Sequence, residues 1–162
     1  MMEAIRKTAP APIRFEVWED TKKGYYSLSK SEIVIKDGMS ELQTLKTAIH
    51  ETAHSILHKD SDHLKDSATM EVEAESIAYV ICQYFGLDTS DYSFGYIAGW
   101  SGSKELPELQ LSLAAIQKTA HTMISRIESE VKRHEQKQTL TMSDLEQSLG
   151  QSYKAEIQRH RR

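Results

Sequence analysis

The chain switches from strand-like to helical hydrophobic spacing at Asp37-Gly38, and that switch decides the fold class. Before it, residues 13–18, 24–28 and 32–36 are short runs rich in β-branched and aromatic side chains, each bounded by turn-type clusters. After it, Leu42, Leu45, Ile49, Ala53 and Ile56 recur at helical spacing. The expected architecture is α+β: a small N-terminal antiparallel or mixed sheet packed on a helix, followed by a helical C-terminal part.

The same pattern predicts the other elements. Pro10 and Pro12 end a short helix over 3–7. Ser40 and Gln43 resemble a capping box at the start of a helix over 41–58. A polar loop over 59–68 leads to a second helix over 70–85, which Gly86 is placed to stop. Residues 87–104 read as an ordered loop. A long amphipathic helix over 107–134 has Leu109, Leu113, Ile116, Ala120, Ile124, Ile127 and Val131 as its buried stripe. Ser143 reads as the N-cap of a last helix. The expected organisation is a domain over 1–135 and a tail over 136–162.

Composition narrows the class. A chain of 162 residues fits one domain and buries enough surface to fold without disulfides. Its single cysteine, Cys82, excludes an intramolecular disulfide and a cysteine-based zinc site. The net charge of −4 argues against a strongly basic nucleic-acid binder as the default reading. No run approaches the ~20 apolar residues of a membrane-spanning helix, and residues 1–14 carry no signal-peptide pattern. A cytoplasmic protein without membrane partners is the expectation.

The chemistry lies in His50-Glu51-Thr52-Ala53-His54. Residues four apart share one helix face, so His50 and His54 can converge on one metal ion from a rigid support. Glu51 is rotated by about 100° from His50 and reaches the flank of that ion without ligating it. Zinc in such a site brings the pKa of a bound water toward about 7, and a neighbouring carboxylate can take the proton and return it to a leaving amine.

A zinc site of this kind needs a third protein ligand, and without thiolates that ligand is a carboxylate. Asp60 has the right spacing from His50 for one such arrangement, but Leu57 stands where that arrangement needs a glycine. The second helix offers Glu71, Ala74, Glu75, Ala78, Cys82 and Phe85 on one face, small and apolar enough to pack inward. Carboxylates on such a face need a partner, and zinc supplies one. Glu71 is the favoured ligand, with Glu75 one turn on orienting a ligand histidine. Glu73, on the opposite side, reads as solvated. Spacing alone leaves Glu73, Glu75 and Asp60 as alternatives.

The run over 24–100 resembles the ImmA/IrrE-type and ArdC-like metallopeptidase domains of the zincin-like group. The resemblance is carried by Met39-Ser40-Glu41-Leu42 leading into His50-Glu51-Thr52-Ala53-His54, and by Glu71-Val72-Glu73-Ala74-Glu75 with Ala78-Tyr79-Val80. The phrase from Asp88 through Phe94, followed by Tyr96-Ile97-Ala98-Gly99-Trp100, looks like the ArdC-like branch found on mobile elements. In the family the third ligand is the glutamate that opens E-x-x-A, which maps onto Glu71. Where many relatives have asparagine after that alanine, this chain has Glu75.

The resemblance implies a Zn2+-dependent endopeptidase acting on a protein or peptide substrate such as a regulator or host factor. The alternative is a zinc-stabilised binding module with an antirestriction role. ArdC-like chains commonly carry an upstream single-stranded-DNA-binding domain, so nucleic-acid binding would belong to such a domain or to the basic tail over 154–162.

Weaker candidates complete the reading. Tyr92 and Tyr96 are candidate oxyanion stabilisers. The strand over 32–36 is the candidate to pair with extended substrate. His58 and His63 fall near a helix end, where the helix dipole favours them. His121, His134 and His160 read as surface residues, and Cys82 as a small buried hydrophobe.

Overall fold

The computed structural model describes residues 1–57, 65–90 and 95–160; for Tyr96, Leu140 and 143–160 it describes the backbone alone. The fold is α+β, with helix α1 (Met2–Thr8), strands β1 (Ile13–Glu16), β2 (Gly24–Ser27) and β3 (Glu32–Lys36), and helices α2 (Glu41–Leu57), α3 (Ser67–Tyr84), α4 (Gly95–Gly102) and α5 (Leu106–His160).

The sheet is mixed, in the order β1-β3-β2. β3 runs parallel to β1 and antiparallel to β2, with Gly24 opposite Ile35 and Tyr26 opposite Ile33. Ile33, Val34 and Ile35 are fully buried, as expected of a central strand covered on both faces. This overturns the expectation that 32–36 pairs with substrate, because both edges of β3 are already used. The open edge near α2 belongs to β2. Lys36 N–H donates to the Lys23 carbonyl, so alternation turns the backbone groups of Gly24 and Tyr26 away from β3.

α2 lies against β2 and β3 and carries Leu45, Ala48, Ile49 and Ala53 into the core. Its start is capped as expected, with Gln43 N–H donating to Ser40 Oγ at 3.2 Å. The Gln43 side chain is turned instead to Lys23 and Thr47. α3 packs on α2 and α5 and buries Ala74, Ile77, Ala78, Ile81 and Cys82. It begins at Ser67, earlier than the sequence suggested, because Asp66 caps it through the Thr69 N–H at 2.8 Å. It ends in a Schellman turn: Gly86 has φ +68°, its N–H donates to the Gln83 carbonyl, and Leu87 N–H donates to that of Cys82.

Three further expectations are corrected. Part of 87–104 is the helix α4, held by a bond from Trp100 Nε1 to Thr69 Oγ1 at 2.9 Å. α5 runs through Ser143 without interruption, since no proline or glycine lies between Pro107 and Gly150 to break it. Leu113 is exposed rather than part of the buried stripe, whose inner positions are Ala120, Met123 and Ile127. No helix among the described residues is long and apolar enough to cross a membrane.

A candidate metal centre between two helices

α2 and α3 bring three side chains to one point. His50 Nε2 and His54 Nε2 stand 3.0 Å apart, as their one-turn spacing requires. From the second turn of α3, Glu71 places Oε2 3.5 Å from His50 Nε2 and Oε1 3.4 Å from His54 Nε2. Ligands of a tetrahedral zinc bound at about 2.0–2.1 Å stand about 3.3 Å from one another. The three separations bracket that value, and two imidazoles with one carboxylate make a donor set suited to zinc. These residues are the group among those described whose donor atoms could hold a metal ion.

The surroundings favour charge separation at this point. Burial opposes charging of His50, but the carboxylates of Glu71 and Glu75, with help from Glu51, outweigh it and push its pKa up to about 10. His50 and His54 in turn hold the Glu71 carboxyl well below the ordinary carboxylate range, against the effect of burial. Glu75 Oε2 lies 3.1 Å from His50 Nδ1, one turn of α3 beyond Glu71. That contact falls short of an aligned hydrogen bond, so the buried nitrogen is held by charge.

Glu51 is buried at the flank of the pair. Burial raises its pKa, and the neighbouring imidazoles and Lys22 only partly offset this. Its position depends on Gly24: a Cβ there would stand 2.6 Å from Thr47 Cγ2 and 3.2 Å from Glu51 Cγ. The glycine lets β2 lie directly on the face of α2 that carries Glu51. All of these residues border one open cleft of about 670 Å3 between β2, α2 and the start of α3.

Sequence reasoning misplaced Glu73. It is fully buried and ion-paired with Lys65 Nζ at 2.7 Å, so it cannot join the solvated face or reach the histidines' cluster. Glu73 shares the inward row of Thr69, Ile77 and Ile81 at i,i+4 spacing, a signal the sequence carried; Lys65, just before α3, supplies the partner its buried charge needs. Sequence reasoning also missed Gly24 and Thr47, whose signal was the glycine opening a strand otherwise built of bulky residues. Tyr92, Asp60, His58 and His63 lie outside the described residues, as does the side chain of Tyr96. His121 and His134 are exposed, Cys82 is buried, and the side chains of the basic tail lie outside the described residues.

Comparisons with known proteins place the chain in a family. The chain is 36% identical over 114 residues, 67% of its length, to an uncharacterized Bacillus anthracis protein. It spans 19% of that relative's own length. No solved structure matches it. The profile of the peptidase family described as the IrrE N-terminal-like domain matches residues 12–99, a stretch that holds the sheet, both helices of the site and all three candidate ligands. The chain belongs to the IrrE N-terminal-like peptidase family.

Proposed function

We propose that the chain is a zinc-dependent endopeptidase of zincin-like type, with His50, His54 and Glu71 as ligands and Glu51 as general base and acid. The observation that carries this reading is the convergence of two imidazole nitrogens and one carboxylate at ligand spacing, with a buried glutamate beside them. A divalent ion in that donor set supplies Lewis acidity and a nucleophile at neutral pH.

The chain's own residues do the rest. Glu51, made more basic than an ordinary glutamate by burial, takes a proton from the attacking water at its carboxylate and delivers it to the leaving nitrogen. Glu75 fixes the orientation of the His50 ring through Nδ1. The outward backbone groups of Gly24 and Tyr26 on β2 align an extended peptide along the cleft. Tyr92 or Tyr96 supplies the donor for the developing oxyanion. The resemblance to ArdC-like domains supports a mobile-element origin and a regulator or host protein as substrate.

Glu51→Gln tests the reading. The variant keeps the metal content of the wild type and loses at least about 100-fold in peptide cleavage, the size of a general-base contribution. An unchanged cleavage rate would remove Glu51 from the mechanism.

A further inference from the structure

The cleft has two chemically different ends. Glu51, Glu71 and Glu75 line it together with His50 and His54, and Lys22, Lys23 and Lys46 line it as well. The course of α2 separates the two groups. Lys46 is one turn before His50, and Gln43, which accepts a bond from Lys23 Nζ at 2.9 Å, is about one turn earlier still. Lys22 Nζ sits 4.5 Å from the centroid of the Tyr25 ring at the same end of β2. From His54 toward the start of α2, the cleft therefore passes from metal donors to ammonium groups.

Lys22 and Lys23 keep their charge for whatever enters. Their contacts are with a ring and an amide, and among the described residues neither makes an ion pair. The charge is local, since the chain as a whole carries −4.

The other direction is apolar. β2 follows α2, with Lys23 beside Gln43 and Gly24 over Thr47 and Glu51. Tyr26 and Leu28 continue along that line past the donor cluster, and Met70 faces the cleft from α3. Leu28 is exposed at this end.

We infer that the cleft selects an extended peptide with an acidic side chain on one side of the scissile bond, seated against Lys22 and Lys23, and an apolar side chain on the other, seated against Tyr26, Leu28 and Met70. The inference rests on the peptidase reading of the same cleft. The lysines border the path of the peptide and act on choice of substrate. Lys22 also lowers the pKa of the Glu51 carboxyl, so its variant is read by the ratio of matched peptides rather than by the rate itself.

The experiment is cleavage of a mixed peptide library by the metal-loaded protein, with the new termini read by mass spectrometry. Matched peptides bearing Glu or Lys at the selected position then give kcat/KM. Asp and Glu are expected at one fixed position close to the cut, on the opposite side from an enriched apolar position. The Glu peptide is expected to be cleaved about tenfold faster than its Lys counterpart, an advantage that shrinks as salt rises to about 0.5 M. The double variant Lys22→Glu/Lys23→Glu is expected to erase or invert the preference.

Equal cleavage of the two matched peptides, or a preference insensitive to salt, would overturn the inference, and so would a folded double variant that still prefers Glu. The wild-type salt dependence decides the matter even if that variant does not fold. A library cut without acidic preference would overturn this inference alone. No cleavage of any peptide by metal-loaded wild type would overturn the peptidase reading and this one with it.

Discussion

Gly24 shows how one missing carbon holds the site together. An ideal Cβ at this position meets Thr47 Cγ2 at 2.6 Å, the Val34 carbonyl at 3.0 Å and Glu51 Cγ at 3.2 Å. Gly24→Ala therefore forces β2 away from α2 at the point where Glu51 is aimed. We expect a loss of roughly 1–3 kcal/mol in stability, the usual cost of overpacking, and a fall in kcat from displacing Glu51, the proposed base. Thr47→Ser removes the nearest clashing carbon and should restore part of both in the double variant. Denaturant unfolding and peptide cleavage check this; no recovery in the double variant would place the strain elsewhere. The histidine pair was legible because i,i+4 spacing is a property of the helix alone. Gly24 was not, because its neighbour is a helix about twenty residues further along the chain.

At the scale of elements, the position of Glu71, the proposed third ligand, depends on how α3 begins. Asp66 caps the helix through Thr69 and also receives Lys104 Nζ, while Trp100 of α4 donates to Thr69. These bonds anchor the first turn of α3, and Glu71 follows one turn later. Lys104 and the Thr69 donors hold the Asp66 carboxyl well below its ordinary range. A depressed carboxyl stabilises the fold above its unfolded pKa of about 3.9 and loses that contribution as pH falls toward its folded value. Asp66→Ala should therefore destabilise the protein by about 1 kcal/mol at neutral pH, weaken metal binding, and show less of a deficit as pH falls below about 4. Thermal melts across pH check the sign, and a deficit that grows in acid would contradict it.

Element existence followed sequence wherever an apolar stripe repeated, as in α2, α3 and the first half of α5. It failed for α4, whose Gly-Tyr-Ile-Ala-Gly-Trp-Ser-Gly has poor intrinsic helicity and is secured by Trp100 on α3. Strand order was equally hidden. The runs themselves were readable, but the insertion of β3 between β1 and β2 is decided by pairing across the sheet. That order transfers the candidate substrate edge from β3 to β2.

For the whole molecule, the body is a three-stranded sheet and α1 gathered around α2, α3 and the first half of α5. The side chains of α5 that join the core, among those described, end at Val131. We propose that the expected boundary near 135 is functional even though the helix crosses it unbroken. A chain ending at Lys137 should keep its metal content and melt within about 3 °C of the full chain, since surface truncations that leave the core intact cost little. A much larger drop would show that the rest of α5 belongs to the folding unit.

In the proposed mechanism, α2 and α3 together hold one divalent ion. Metal content per chain, measured by elemental mass spectrometry on wild type and Glu71→Gln purified side by side, tests it most directly. About one zinc per folded wild-type chain is expected, with a loss of at least about tenfold in affinity for the variant. Equal zinc retention by both proteins would contradict it, and would take Glu71 out of the metal centre.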